Sequence, residues 1–212
     1  EESRYIHPTT IVKPSFSIVD LEAGVQITNL SAFRFDIFGE YKHTEDEHFL
    51  VLNTHKNAED EFAGIETREF LSPKYADLSH SHIGARIQST IWNPLNVALS
   101  LKKNFYNIKD SDDAKAWNKP GFEADVRADL SIIDNLKFTL NYYMAADRWS
   151  LFDGNNVKMD NINDLNVGAI YQISDAFSIN VKANNLLFQK YDIWYGHPAQ
   201  GLNIIGGFSF KF

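Results

Sequence analysis

The amino-acid sequence predicts an all-β protein: an antiparallel transmembrane β-barrel of about nine or ten strands, itself part of a larger barrel. Three observations lead to this fold class. Apolar and polar residues alternate with a period of two over long segments, and the charges stay on one side of each segment. Short turns alternate along the chain with long polar connections. The last segment keeps its apolar side up to the final residue, Phe212.

The alternation defines nine strands, over residues 15–29, 32–43, 79–92, 95–107, 121–133, 136–149, 163–173, 176–188 and 202–212. In the first five, the apolar sides consist of Val19, Leu21, Ala23, Val25 and Ile27; Phe33, Phe35, Ile37 and Tyr41; Ile83, Ala85 and Ile87; Val97, Leu99 and Leu101; and Phe122, Ala124, Val126, Ala128, Leu130 and Ile132. In the last four, they consist of Leu136, Phe138, Leu140, Tyr142 and Met144; Leu165, Val167 and Ala169; Phe177, Ile179, Val181 and Ala183; and Leu202, Ile204, Phe208, Phe210 and Phe212. Polar and charged residues fill the other side, so each strand has two unlike faces.

The connections between these strands are of two kinds. Tight turns are predicted at 29–32, 93–94, 134–135 and 174–176, and long outer loops at 44–78, 108–120, 150–162 and 189–201. Because the two kinds alternate, they lie at opposite ends of the sheet. Residues 1–14 are interpreted as an extracellular loop or a partial strand.

Strand length and the unlike faces favour a membrane protein. A strand crosses a bilayer with about 9–11 tilted residues, and a sheet can cross only as a closed barrel, because every backbone polar group must be paired in hydrocarbon. The apolar face would contact lipid, and the charged face would line the lumen. A soluble ligand-binding barrel alternates in the same way with its apolar side inward, so alternation alone does not separate the two. The loop asymmetry and the apolar ending favour the membrane version.

Composition narrows the functional classes. The formal net charge of −8, without a basic cluster, argues against a nucleic-acid partner. The chain has no cysteine, which excludes disulfides and thiolate metal sites. No Ser/His/Asp order, glycine-rich phosphate loop or zinc-ligand spacing is present, so we expect neither an enzyme nor a cofactor.

Two histidines on one strand are a weak candidate metal site. His80 and His82 place two imidazoles on the same strand face, a geometry that can chelate a transition metal. No third ligand is evident in the sequence. We therefore interpret them as lumenal or loop-base histidines and predict no metal.

Five residues of the long loops are candidate ligand contacts, namely Trp117, Phe152, Trp194, Tyr195 and His197. Rings in solvated loops either stack against solutes or pack the loops together. The sequence favours packing and leaves ligand contact open.

The C-terminal residues resemble a known family. The stretch Asn184-Asn185-Leu186-Leu187-Phe188-Gln189-Lys190-Tyr191 resembles the NLF-x-K-x-Y phrase in the penultimate strand of TonB-dependent receptors. The closing Gly207-Phe208-Ser209-Phe210-Lys211-Phe212 resembles the assembly signal that ends bacterial outer-membrane proteins. Over 164–212 the chain looks like the C-terminal barrel segment of such receptors from Bacteroidetes-type bacteria.

This resemblance implies a location, partners and a role for the last residues. The location is the outer membrane of a Gram-negative bacterium, and the partners are outer-membrane lipid and the barrel-assembly machinery. The machinery would recognise Phe208, Phe210 and Phe212. The family's barrel has 22 strands filled by an N-terminal plug, and a short TonB box couples it to an inner-membrane motor.

The chain departs from the family pattern, because it contains no plug, no TonB box and too few strands. Nine strands also conflict with the even number found in single-chain bacterial barrels. Either residues 3–13 supply a tenth strand, or further strands or another envelope protein complete the barrel. We expect the C-terminal part of a receptor-like transporter for solute uptake. The alternatives are a scaffold barrel of an envelope complex, a small porin-like barrel and a soluble ligand-binding barrel.

Overall fold

The computed structural model describes residues 12–30, 33–55, 68–92, 94–109 and 114–212. Strands dominate this part of the chain, and none of its residues forms a helix. Accordingly, no helix suited to crossing a membrane is found there. The proposed tenth strand at 3–13, and most of the predicted loop or partial strand at 1–14, lie outside the described residues.

The described residues form nine long strands and four short ones. The long strands are β1 Phe16–Leu30, β2 Phe33–His55, β3 Arg68–Trp92, β4 Leu95–Ile108, β5 Phe122–Ile133, β6 Leu136–Ala146, β9 Ile162–Ser174, β10 Phe177–Asn184 and β13 Asn203–Phe210. The short strands are β7 Arg148–Phe152, β8 Asn155–Met159, β11 Asp192–Trp194 and β12 His197–Pro198. All nine predicted strands therefore occur, and the predicted all-β class is confirmed.

The long strands form one antiparallel meander, in which each pairs with its neighbours in chain order: β1, β2, β3, β4, β5, β6, β9, β10 and β13. Within the described residues, β1 and β13 are the two edges of this sheet and do not pair with each other. Since nine strands alternate in direction, these two edges run the same way.

The strand register puts the two sets of residues on opposite faces. One row across the sheet reads Val25, Ile37, Ala85, Leu101 and Ala124, and the adjacent row reads Gln26, Asp36, Arg86, Ser100 and Asp125. We call these the apolar face and the polar face. Side chains of the apolar face are widely exposed; Val25 keeps 68% of its accessible surface and Phe208 77%. A soluble monomer rarely exposes so large an apolar surface, so this face needs a cover.

The predicted loop at 44–78 requires a correction. Its two ends, 44–55 and 68–78, are strand, because β2 and β3 continue as a hairpin well past their predicted limits. A bulge at Asp46 explains the difference. Four residues from Thr44 to Glu47 oppose three on β3, from Ala76 to Leu78, and Asp46 has a positive φ of 51°. One extra residue exchanges the two faces for every β2 residue beyond it, so the single phase of alternation ends at the bulge.

The bulge creates a hydrophobic core on the polar face. Beyond it, Phe49 and Val51 lie on the same side of the sheet as Leu78, although their odd numbers would place them on the apolar face. They form a buried cluster with Leu78, Ile108, Trp117 and Leu151. The core of the described chain thus lies at the end of the sheet that carries the long connections. We call this end the cap end and the opposite one the short-turn end.

The long connection at 150–162 is also not simply a loop. Asp147, with a positive φ of 56°, ends the predicted strand 136–149 at Ala146, and β7 and β8 form a hairpin. This hairpin crosses the polar face and meets β2, where Phe152 pairs with Leu52. We use the name cap for this hairpin together with residues 114–120, which lie in the predicted loop 108–120.

The penultimate long strand ends earlier than predicted. β10 stops at Asn184, and the predicted continuation to 188 is a turn in which Asn185 and Phe188 have positive φ values of 53° and 54°. Asparagine tolerates this left-handed conformation better than most residues. The buried side chain of Asn185 also donates to the carbonyls of Gln189 and Gln200 and accepts from the Gln189 amide. Within the predicted loop 189–201, β11 and β12 form a small second sheet.

Candidate functional site

The cap is attached to β2 by hydrogen bonds. The Asn118 side chain donates to the carbonyl of Leu50 at 2.7 Å. The backbone N–H of Thr54 donates to Asp153 Oδ1, also at 2.7 Å, and the Thr54 hydroxyl donates to Oδ2. Both of these turn residues, Asn118 and Asp153, adopt positive φ, which fits short polar side chains. The cap therefore covers the polar face at its cap end.

Trp117, a predicted ligand contact, is part of the core. It retains 3% of its surface, and its ring meets that of Phe49 edge to face at 5.4 Å. Its indole N–H donates to Asn156 Oδ1 at 2.8 Å, so the polar atom is also satisfied. With both its ring and its polar atom engaged, Trp117 packs the cap onto the sheet.

The structure brings together the other four predicted contacts. The rings of Phe152 and Tyr195 lie 5.4 Å apart, and those of Trp194 and His197 lie 6.3 Å apart. Trp194 is 42% exposed, and the other three are half-buried. We call these four residues the aromatic patch. It lies at the cap end, where the β7–β8 hairpin meets the β11–β12 hairpin.

Arg148 holds these two hairpins together, and sequence analysis missed it. Its buried guanidinium donates to the backbone carbonyls of Asp160, Asp192 and Ile193, at 3.2, 2.8 and 2.6 Å. Burial lowers the pKa of the Arg148 guanidinium, but a group with so high a normal value stays charged at neutral pH. Burial also raises the pKa of the nearby Tyr191 hydroxyl. A lone arginine between a strand and a loop carries no sequence signal for this role.

Paired charges and amides line the polar face below the cap. Lys102 contacts Glu123 at 2.7 Å, and Asn104 and Tyr143 also donate to the Glu123 carboxylate. Arg127 contacts Asp125 at 2.8 Å. A surface of this kind is easily wetted and suits a water-filled lumen.

His80 and His82 also lie on the polar face, directly below the cap core, with their ring centroids 5.7 Å apart. The structure adds Glu40 of β2, which is opposite His82 in the register. One ligand atom from each of these three residues lies within 4.8 Å of the others.

The three terminal phenylalanines are exposed. Phe208 and Phe210 project from the apolar side of β13, and Phe212 follows just beyond the strand. The Lys211 amide still donates to the carbonyl of Ala176 at 2.8 Å, so the ladder with the neighbouring turn continues almost to the end. Their role in assembly stays a prediction.

Comparison with known proteins gives a fold likeness. The sequence matches no family model and no curated protein. Among solved structures, it resembles the siderophore receptor PirA from Acinetobacter baumannii, with 12% identity and a TM-score of 0.70 over 95% of this chain and 32% of PirA. It resembles the pyoverdine outer membrane receptor FpvA from Pseudomonas aeruginosa PAO1, with 13% identity and a TM-score of 0.65 over 100% of this chain and 32% of FpvA. It also resembles the copper transporter OprC, with 12% identity and a TM-score of 0.65 over 95% of this chain and 32% of OprC.

These neighbours define the class of fold. They are TonB-dependent outer-membrane receptors, and the meander described above matches part of their β-barrels. The chain spans about a third of the length of each. Their barrels are those of transporters and receptors, not of enzymes.

Proposed function

We propose that this chain forms the C-terminal part of a TonB-dependent receptor-like barrel that takes up a solute across the outer membrane of a Gram-negative bacterium. The observation that carries the proposal is the nine-strand meander, which superposes on receptor barrels over nearly its whole length. The C-terminal phrase at 184–191 supports the same family and is the basis for suggesting a Bacteroidetes-type source.

Strand parity supports the view that more strands complete the barrel. The edges β1 and β13 run in the same direction. Antiparallel closure between them therefore needs an odd number of additional strands, from the same protein or from another envelope protein. An even total, as in single-chain bacterial barrels, follows from that count.

The two faces support the proposed surroundings. In the membrane, the exposed apolar face would contact lipid and the polar face would line the lumen. A closed barrel can occupy the membrane because all of its backbone polar groups are paired. The aromatic patch, at the cap end, would then be reached from outside the cell. We propose Phe152, Trp194, Tyr195 and His197 as the first contacts for a solute, by stacking against its apolar or sugar-like surfaces.

Single-cysteine labelling tests the orientation. The chain has no cysteine, so Asn155→Cys in the β7–β8 turn, and Asp134→Cys and Asp175→Cys in two short turns, each add one thiol to it. All three positions are exposed. In intact cells producing the full-length protein, we expect a membrane-impermeant maleimide to label Asn155→Cys alone. After the outer membrane is permeabilised, all three should react.

Two results would contradict the proposed orientation or the membrane location. Labelling of the short turns in intact cells would reverse the proposed orientation. Recovery of the full-length protein as a monodisperse species without detergent would remove the membrane proposal and favour a soluble ligand-binding barrel.

The terminal phenylalanine offers a test of assembly. We expect Phe212→Asp to lower the amount of protein in the outer membrane severalfold, because the substitution replaces the terminal ring of the proposed assembly signal by a charge. Immunoblotting of membrane fractions measures the yield. Lys211→Ser is the matched control, at the adjacent position, and should assemble normally. Equal membrane yields for Phe212→Asp and the wild type would contradict the assembly role.

A further inference from the structure

We propose that Glu40, His80 and His82 form a binding site for a divalent transition-metal ion of the zinc type, on the polar face directly below the cap. This inference concerns binding only and does not depend on the transport proposed above. It starts from the register of two neighbouring strands.

The strands place the three ligands on one side of the sheet. Glu40 of β2 is directly opposite His82 of β3, and His80 is two residues from His82, on the same face. His82 Nδ1 lies 3.7 Å from Glu40 Oε2. Two ligands about 2.0–2.1 Å from one ion, at a tetrahedral angle, lie about 3.4 Å apart. Small rotations of these side chains therefore bring the ligand atoms to metal-binding distance.

His82 has a buried nitrogen that lacks a partner. The His82 side chain is 9% exposed, and Nδ1 has no hydrogen-bond partner, because 3.7 Å is too long for a hydrogen bond to Glu40. Leaving a buried polar atom without a partner is unfavourable. A bound ion would supply this nitrogen with a partner.

The surroundings of His80 leave a lone pair for the ion. The Asn104 Nδ2 donates to the carbonyl of Pro120 and to the carboxylate of Glu123, both at 2.9 Å. Both of these partners are acceptors, so the Asn104 amide oxygen must face His80 Nε2, which lies 3.1 Å from it. Nε2 then carries the proton and donates it, and Nδ1 keeps its lone pair. This is the arrangement of a metal-binding histidine held by an outer hydrogen bond.

The local charge favours a cation. Glu40 is directly opposite Glu22 of β1 in the register, and like charges in such a pair repel. Among the described residues, no lysine or arginine forms an ion pair with either carboxylate. Lys42, which is opposite His80 in the register, contacts Asp20 at 3.4 Å, and Lys102 contacts Glu123 at 2.7 Å, so both cations are paired with other carboxylates.

Aromatic neighbours hold both imidazoles in position. The ring of Tyr106 stacks on His80 with centroids 4.8 Å apart, and that of Phe38 meets His82 edge on at 5.8 Å. Phe38 can lie there because it covers Gly84, where a Cβ atom would collide with its ring. His80 also lines a cavity of about 280 Å³ on the side of the cap, together with Leu78 and Asn118.

The test measures Zn²⁺ binding to the full-length protein, purified in detergent with a tag that contains no histidine and stripped with a chelator. Competition with a chromophoric chelator gives the affinity. We expect the wild type to bind one equivalent more than His82→Gln or Glu40→Gln, at micromolar or tighter affinity. Each substitution should weaken this site at least about 100-fold. Asn104→Ala should weaken it about 10–100-fold through the lost support of His80.

His43→Gln is the matched control. His43 lies on the same strand as Glu40 but on the opposite face, where its Nδ1 contacts the Ser79 hydroxyl at 3.1 Å. The His43→Gln variant should bind zinc like the wild type. X-ray absorption of the zinc-loaded protein should show nitrogen and oxygen ligands at about 2.0–2.1 Å. Equal zinc binding by the wild type and His82→Gln, with both folded by circular dichroism, would overturn the proposal, and so would binding only at millimolar zinc.

Discussion

Replacement of Trp117 by alanine should open the cap while leaving the long strands in place. Trp117 belongs to the buried cluster, and loss of a core tryptophan costs about 3–5 kcal/mol. Since the cap is a local unit, the cost should appear as local opening. Amide hydrogen exchange in residues 148–159 should accelerate at least about 100-fold, with little change in β9 and β10.

Trp194→Ala is the matched control for Trp117→Ala. It removes the same kind of side chain from the aromatic patch, where Trp194 is 42% exposed. Exchange in residues 148–159 should then stay within about threefold of the wild type, because surface substitutions shift stability by about 0.5 kcal/mol or less. An unchanged exchange rate in Trp117→Ala would mean that this residue does not hold the cap.

Deletion of Asp46 should also have a large effect, because it removes the extra residue of the bulge. Beyond that point every side chain of β2 would change face, and Phe49 and Val51 would leave the core for the apolar face. Losing two large core side chains together costs more than about 4 kcal/mol. We expect trypsin to cleave after Arg148, which is buried in the intact cap.

Asp46→Gly keeps the residue count and tests the same position. Glycine adopts the positive φ of 51° without strain, so the bulge should survive and Arg148 should stay protected. Protection of Arg148 in the deletion variant would show that register beyond the bulge does not position the core.

The sheet was predictable because each long strand keeps one phase of alternation over most of its length. In both β5 and β6, for example, the apolar residues occupy even positions. The structure pairs these residues with one another, Ala124 with Met144 and Val126 with Tyr142. The faces, the tight turns and the order of neighbours all follow from that pattern. Where one residue interrupts the phase, as at Asp46, the strand continues but the pattern does not.

The candidate sites were less predictable because they depend on contacts between distant segments. His80 and His82 lie two residues apart on one strand, so the sequence identifies them as a pair. Glu40 becomes their neighbour only through the pairing of β2 with β3. The register of that pairing cannot be read from the sequence, because a long connection separates the two strands. Trp117 and Trp194 look alike as loop aromatics, yet one is core and the other is surface. Arg148 donates to backbone carbonyls, and because every residue has one, the sequence does not show which of them it binds.

The crossing of the β7–β8 hairpin has a mechanical consequence for the sheet. The hairpin leaves β6 and bonds to β2, through Asp153 and Thr54, which are 99 residues apart in sequence. Measured along the sheet, β6 and β2 are four strand spacings apart, about 19 Å, and the five residues of β7 extend about 17 Å. The hairpin therefore connects the end of β6 to β2 directly across the polar face. This second link between β2 and β6 adds to the pairing through β3, β4 and β5, and we expect it to limit how far these strands can flatten.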